Sequence, residues 1–169
     1  MDGRRSTSAE QGDGFDAFTD LLDYPLYIVT ATTPAGRAGC LVGFASQCSI
    51  DPPRFVVWLS TANRTYRVAL AAEHLAVHLL PPDHALAELF GGRTGDTTDK
   101  FALAEWTCGP ADTVLLRDAP AWFVGKVLHR LEGGDHVGFL LAPVAVGRGP
   151  AARPMTYRQA RGIEPGHPA

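Results

Sequence analysis

Gly39-Cys40-Leu41-Val42-Gly43-Phe44-Ala45-Ser46-Gln47-Cys48-Ser49-Ile50-Asp51-Pro52-Pro53 is the stretch on which the reading of this chain turns. Small residues and polar side chains interrupt what would otherwise be an apolar strand. A buried strand favours β-branched and aromatic residues, whereas Gly39, Gly43 and Ala45 remove side-chain bulk and let a flat ligand approach the backbone. Asp51-Pro52-Pro53 ends the segment, because tandem prolines donate no ladder hydrogen bonds and hold the chain extended.

Working outward, Tyr24 to Thr33 is aromatic, aliphatic or β-branched, and Pro34-Ala35-Gly36 follows it as a turn. The two flanking segments therefore form a strand, hairpin and strand. Phe55-Val56-Val57-Trp58-Leu59 reads as a third strand, and Asn63 caps a helix through Tyr66, Val68 and Leu70. His74 to Leu80 is a fourth strand that stops at Pro81-Pro82, and His84 to Phe90 is a helix terminated by Gly91-Gly92. A polar, flexible loop, Arg93 to Lys100, comes next. Ala121 to Leu131 and His136 to Gly147 are two long strands joined at Glu132-Gly133-Gly134-Asp135. Six or more strands in hairpin order with a few short helices predict a mainly β chain, an antiparallel barrel rather than alternating βαβ units.

Upstream, Phe15, Phe18, Leu21 and Leu22 recur at helical spacing. Residues 1–14 are expected to be a flexible arm and 162–169 a flexible tail, leaving one domain over 15–161. With 169 residues, 46% of them hydrophobic, the chain can bury a core without disulfides or a structural metal. Its 15 basic and 18 acidic residues give a net charge of −3 with no basic run, which argues against nucleic acid and against an electrostatic membrane anchor. Cys40, Cys48 and Cys108 match neither a zinc motif nor a secreted disulfide framework, so reduced thiols in a cytoplasmic protein are expected.

Several chemistries lack support. His74 and His78 lie about 13 Å apart if both belong to one strand, at roughly 3.3 Å per residue, too far to share a metal ion. There is no Gly-x-Ser-x-Gly elbow, Walker loop or Rossmann glycine fingerprint. Two positive features stand beside bland readings. Ser60-Thr61-Ala62-Asn63-Arg64-Thr65 joins a strand to a helix start, and it serves either a phosphate or merely as a cap. Gly133-Gly134-Asp135-His136 suits a hairpin turn, but the turn itself does not require His136.

Four landmarks occur in order: the segment ending Ser49-Ile50-Asp51-Pro52-Pro53, Arg64-Thr65-Tyr66, Leu89-Phe90 followed by Asp99-Lys100-Phe101, and Gly134-Asp135-His136. From about Tyr24 to Gly147 the chain resembles the flavin reductase-like family of the FMN-binding split barrel, the small components of two-component flavin monooxygenases. That resemblance implies a Greek-key-like split barrel, a homodimer with a flavin in each of two clefts, and a flavin-dependent monooxygenase as partner. It implies an FMN or FAD ring along Gly43, Phe44, Ala45, Ser46 and Gln47, a phosphate near Ser60, Asn63 and Thr65, and Lys100 and Phe101 close to the cofactor. His136 would position NADH or NADPH. Hydride transfer from nicotinamide to flavin needs no side-chain acid, base or nucleophile, so none is assigned. Backbone N–H groups along residues 43–47 are the expected donors to the ring's pyrimidine edge. Many relatives carry Thr, Ser or Asn where this chain has Leu41-Val42-Gly43-Phe44. A flavin-binding dimer without catalysis, and a split-barrel oxidoreductase using another substrate or a deazaflavin, stay open as alternatives.

Overall fold

The structure, a computed structural model, describes residues 8–166. Its strands are β1 (Tyr27–Thr33), β2 (Gly36–Val42), β3 (Ala45–Ser49), β4 (Arg54–Ser60), β5 (His74–Leu79), β6 (Trp106–Cys108), β7 (Val114–Leu116), β8 (Ala121–Glu132) and β9 (His136–Arg148). Its α-helices are α1 (Ser8–Thr19), α2 (Arg64–Ala69) and α3 (His84–Gly91). Seven strands form one antiparallel sheet in the order β2-β1-β5-β8-β9-β4-β3, and β6 and β7 pair separately. The order departs from a simple meander because β1 joins β5, and β4 joins β9, across long connections.

Alternation along the strands builds two large cores, beside a small third cluster of Ala76, Leu115 and Val124. Val29 and Ala31 of β1, Cys40 and Val42 of β2, Val57 and Leu59 of β4, and Phe139 and Leu141 of β9 fill the interior, with Ala69 of α2 among them. Strands near both ends of the sheet share that cluster, so the sheet curls into a barrel. On the other face of β1, Ile28 packs with Phe90 of α3, Phe101, Val114 and Met155. β1 is thus covered on both sides, which explains why its adjacent Ile28 and Val29 are both fully buried.

The first hairpin forms as expected, with Thr33 opposite Gly36 and Gly36 at φ +142°. So does the last, where Gly134 takes φ +104°. The strand expected from Tyr24 begins at Tyr27. The single strand expected through Gly39–Ser49 is two strands, broken at Gly43-Phe44 and lying on opposite edges of the sheet. Asp51-Pro52-Pro53 makes a turn instead of an extended stop, and the Ser49 hydroxyl donates to the Pro52 carbonyl at 2.6 Å.

The helix α1 starts at Ser8, so residues 8–14 of the expected arm are helical; residues 1–7 lie outside the described residues. The expected tail is docked as far as Gly166, whose N–H donates to the Gly91 carbonyl at 2.9 Å, while 167–169 lie outside the described residues. Strands β6 and β7 went unread because three residues are too few to show a period.

Candidate functional site

A cleft of about 370 Å³ opens where the end of β2, the Gly43-Phe44 link, the end of β4 and the start of β9 converge. That volume falls in the range of roughly 300–1,000 Å³ where small-molecule sites lie. Its walls include Tyr24, Leu41, Phe44, Trp58 and Tyr157, and Ser60, Asn63 and His136 add polar groups. The wall is assembled by backbone bonds from distant segments. Leu26 N–H donates to Met155 O and Tyr157 N–H to Tyr24 O, both at 2.9 Å. This zips the C-terminal segment onto the lead into β1 and stacks Tyr157 on Tyr24, centroids 5.0 Å apart at 17°.

Phe44 is fixed through its backbone, since its carbonyl accepts the Trp58 N–H at 2.9 Å, while its ring is 55% exposed. The ring stands 6.5 Å from Tyr24 and 5.2 Å from the His136 imidazole. An exposed aromatic facing other rings across a cavity offers a surface on which a flat heterocycle can stack.

The hairpin bearing His136 is latched to the turn after β4. Register places His136 opposite Ser60, and the Asp135 carbonyl accepts from both the N–H and the hydroxyl of Thr61, at 2.9 and 3.1 Å. His136 Nδ1 lies 2.7 Å from the Asp135 carboxylate. An ionised carboxylate only accepts, so Nδ1 carries the proton and Nε2 of the neutral ring is an acceptor. The imidazole, in turn, holds the Asp135 carboxyl below the usual carboxylate range. Gly133 and Gly138 sit against Trp58, where a Cβ would come within 2.5 and 3.0 Å of the indole.

The Ser60–Thr65 turn is organised by its own side chains. Ser60 Oγ accepts the Ala62 N–H at 3.3 Å, and Asn63 Oδ1 accepts the Thr65 N–H at 3.0 Å, capping α2. Ser60 and Asn63 reach the cleft, but Thr65, on the inner face of α2, is 1% exposed and lies beside the Cys40 thiol. Burial pushes that thiol up to about 11, leaving Cys40 a neutral core residue.

The other candidate positions scatter. Ala45, Ser46 and Gln47 run along β3, and Gln47 faces a separate apolar groove. Because Phe44 O accepts from Trp58, the alternation of an antiparallel ladder turns the Ala45 and Gln47 amides toward the open edge of the sheet. Lys100 and Phe101 line a second cavity. Lys100 is buried and donates to the carbonyls of Gly39 and Phe90 at 3.1 and 3.0 Å, and burial pushes its amine down. Gly43 lines the cleft and Gly39 the second cavity, but on the side where a Cβ would stand both are filled by protein. A Cβ on Gly39 would meet Phe90 at 2.9 Å and Phe101 at 3.2 Å, and one on Gly43 would meet Tyr24 at 2.9 Å. These glycines admit the protein's own rings.

His78 is a core residue: Nδ1 donates to Ile28 O at 2.9 Å and Nε2 accepts Leu116 N–H at 3.2 Å. Among the described residues no cluster of three or more His, Cys, Asp or Glu could hold a metal ion. Sequence reading missed Tyr24 and Tyr157 as cleft walls. The available signal for the second was Thr156-Tyr157-Arg158-Gln159, whose ends have capping-box spacing and form that box.

Residues 19–164 match the flavin reductase like domain. The chain belongs to the flavin reductase-like family. It is 31% identical over 131 residues to an FMN reductase (NADH) of Variovorax paradoxus, covering 77% of this chain and 72% of that protein. It is 31% identical over 111 residues to the reductase subunit of stachydrine N-demethylase from Rhizobium meliloti, covering 65% of this chain and 47% of that one. In structure it superposes on an NADH:FAD oxidoreductase of Streptomyces globisporus with TM-score 0.80 at 20% identity, over 95% and 96% of the two chains. The mainly β split barrel is thus the fold of the family. The cleft suits a flavin in kind: aromatic faces for a planar ring, with Ser60 and Asn63 for a polar tail.

Proposed function

We propose that this chain is an NADH-dependent flavin reductase whose flavin ring stacks in the cleft bounded by Tyr24, Leu41, Phe44 and Trp58. The observation that carries the proposal is the placement of the exposed Phe44 ring 5.2 Å from His136, at the mouth of that cleft. Bound flavin supplies the two-electron acceptor. The chain's own part is to hold, orient and shield. Leu41, Trp58 and the tyrosine pair exclude water from the ring faces, and Ser60 and Asn63 meet the polar tail. His136, oriented by Asp135, presents Nε2 to a nicotinamide carboxamide N–H. Holding the two planar rings against each other would lower the barrier, because orientation removes the entropy of encounter.

The chain works as a homodimer in this proposal. An apolar groove including Tyr27, Phe55, Trp122, Phe123, Pro143 and the 74% exposed Val146 supports that reading. The resemblance to a reductase subunit supports a flavin-dependent monooxygenase as the consumer of reduced flavin. No helix among the described residues is long and apolar enough to cross a membrane, and the three free cysteines fit a reducing cytoplasm.

Purified protein mixed with NADH and FMN or FAD should consume the nicotinamide absorbance. The absence of turnover with every pairing of NADH or NADPH and FMN or FAD would refute the reductase reading. Sedimentation should show a dimer, and Val146→Asp should shift it toward monomer.

A further inference from the structure

Along Leu41, Val42, Gly43 and Phe44 the cleft is lined by apolar residues and glycine, while its polar side chains Ser60, Asn63 and His136 come from β4, the cap of α2 and β9. Tyr24 brings a polar group to that apolar stretch. A Cβ on Gly43 would come 2.9 Å from Cε2 of the Tyr24 ring and 3.5 Å from its hydroxyl oxygen. The phenol therefore occupies the space that a side chain at position 43 would need, and it sets a hydroxyl beside strand backbone that has no polar side chain of its own.

The ring is held there from several sides. Arg158 N–H donates to the Asp23 carboxylate at 3.1 Å, Tyr157 N–H to Tyr24 O at 2.9 Å, and Leu26 N–H to Met155 O at 2.9 Å, so the backbone on both sides of Tyr24 is tied to the C-terminal segment. Tyr157 stacks on the ring at 5.0 Å, and Phe44 stands at 6.5 Å, tilted by 56°. Only the hydroxyl is left over. Among the described residues it has no hydrogen-bond partner. Burial, with Tyr157 and Asp23 near it, pushes the phenol above its usual value, so it keeps its proton at neutral pH and acts as a donor.

A donor fixed by its surroundings and left unspent by the protein is arranged for charge that develops on a ligand. We infer that Tyr24 donates its phenol hydrogen to an acceptor on the edge of the flavin ring and thereby holds the reduced, anionic ring more tightly than the oxidised one. The inference rests on the reductase reading and names the residue that distinguishes the two states of the cofactor. A hydrogen bond to an ionised acceptor is about twice as strong as one to a neutral acceptor, so the preference follows from the donor alone. Aromatic walls do not supply it, because their faces carry the negative side of the ring quadrupole.

The test uses the full chain and two variants. FMN and FAD, each oxidised in air and dithionite-reduced without oxygen, are titrated into wild type, Tyr24→Phe and Gly43→Ala. Tyr24→Phe keeps the ring and removes the hydroxyl. It should weaken oxidised flavin by about threefold and reduced flavin by at least about tenfold, which shifts the midpoint potential of the bound flavin to a more negative value. Its melting temperature should hold, since the hydroxyl bonds to no protein group. Gly43→Ala leaves the hydroxyl in the chain but drives a Cβ against the phenol ring, so it should lose the same preference for reduced flavin. The inference is overturned if Tyr24→Phe weakens both states alike, which makes Tyr24 a wall and nothing more, or if it changes neither. It is also overturned if Gly43→Ala keeps the full preference, because the phenol then does not act from beside Gly43. A wild type that binds neither flavin in either state sinks the reductase reading and the inference together, whereas a wild type that binds both states and is matched by Tyr24→Phe sinks the inference alone.

Discussion

His78 on β5 and His136 at the start of β9 are the same side chain in the same sheet, put to opposite uses. Both ring nitrogens of His78 are consumed by backbone, Nδ1 by Ile28 O and Nε2 by Leu116 N–H, and the ring is fully buried. His136 gives one nitrogen to Asp135, and its ring stands beside Phe44 on the cleft. The cations divide in the same way. Lys100 is spent on the carbonyls of Gly39 and Phe90, whereas Arg37 and Arg64 line the second cavity without a carboxylate in hydrogen-bond range. A polar residue is functional here according to what the fold leaves unpaired, and residue type alone does not reveal that.

The largest expected effect falls on the core side of this contrast. His78→Leu leaves the Leu116 N–H buried without a partner, at about 1–3 kcal/mol, and takes the side-chain donor from the Ile28 carbonyl, at about 1 kcal/mol more. Denaturant unfolding should show a loss of roughly 2–4 kcal/mol. A pH effect accompanies it. Burial lowers the His78 pKa from 6.5 to about 4, so between those values the unfolded chain binds a proton that the native one refuses. Stability therefore falls as pH drops from 6.5 toward 4, by about 3 kcal/mol, and levels off below. His78→Leu should flatten that slope. If it persists unchanged in the variant, the buried ring is not its source.

Next in size is Lys100→Met. Two carbonyls lose their donor, but the variant also escapes the cost of burying an ammonium, so a net loss of about 1–3 kcal/mol is expected. Flavin affinity should move less than about twofold, since the amine points at backbone and not at the cleft. A large fall in flavin affinity at unchanged stability would instead make Lys100 a direct ligand.

These two residues also mark how far the sequence could be read. Hairpins announced themselves through Pro34-Ala35-Gly36 and Gly133-Gly134-Asp135, and α2 through its Asn63 cap, because turns and caps are local chemistry. The barrel followed from counting strands. What stayed hidden depends on contacts distant in sequence. Gly39 and Gly43 look like room for a ligand, and they do border cavities, but on their Cβ side Phe90, Phe101 and Tyr24 occupy that room. Thr65 looks like a phosphate ligand, but it falls on the buried face of α2. Tyr157 joins the cleft only because Met155 and Tyr157 pair with the lead into β1.

On the cleft side, His136→Ala should raise KM for NADH about tenfold, the loss of one or two hydrogen bonds to the donor. Flavin affinity and melting temperature should hold, because the β4–β9 ladder and the Thr61–Asp135 bonds are made by backbone and by Thr61. Asp135→Asn should act more weakly in the same direction, since an amide can still accept from Nδ1. Equal losses in flavin and nicotinamide binding would place His136 in the flavin site instead.

The smallest expected effect is the most discriminating, because Asn63 is claimed by both sides of the contrast. Its Oδ1 caps α2 through the Thr65 N–H, and its side chain also lines the cleft. Asn63→Ala confounds the two roles, since losing a cap alone costs about 1 kcal/mol. Asn63→Asp separates them. A carboxylate accepts the Thr65 N–H as well as an amide does, so stability should stay within roughly 0.5 kcal/mol. The added negative charge opposes a phosphate at the same place, so FMN should weaken severalfold, by about 3- to 10-fold, while riboflavin does not change. Raising salt should shrink that gap, because the repulsion acts across a solvent-open cleft. Parallel weakening of FMN and riboflavin would return Asn63 to the cap alone and move the phosphate elsewhere along β2.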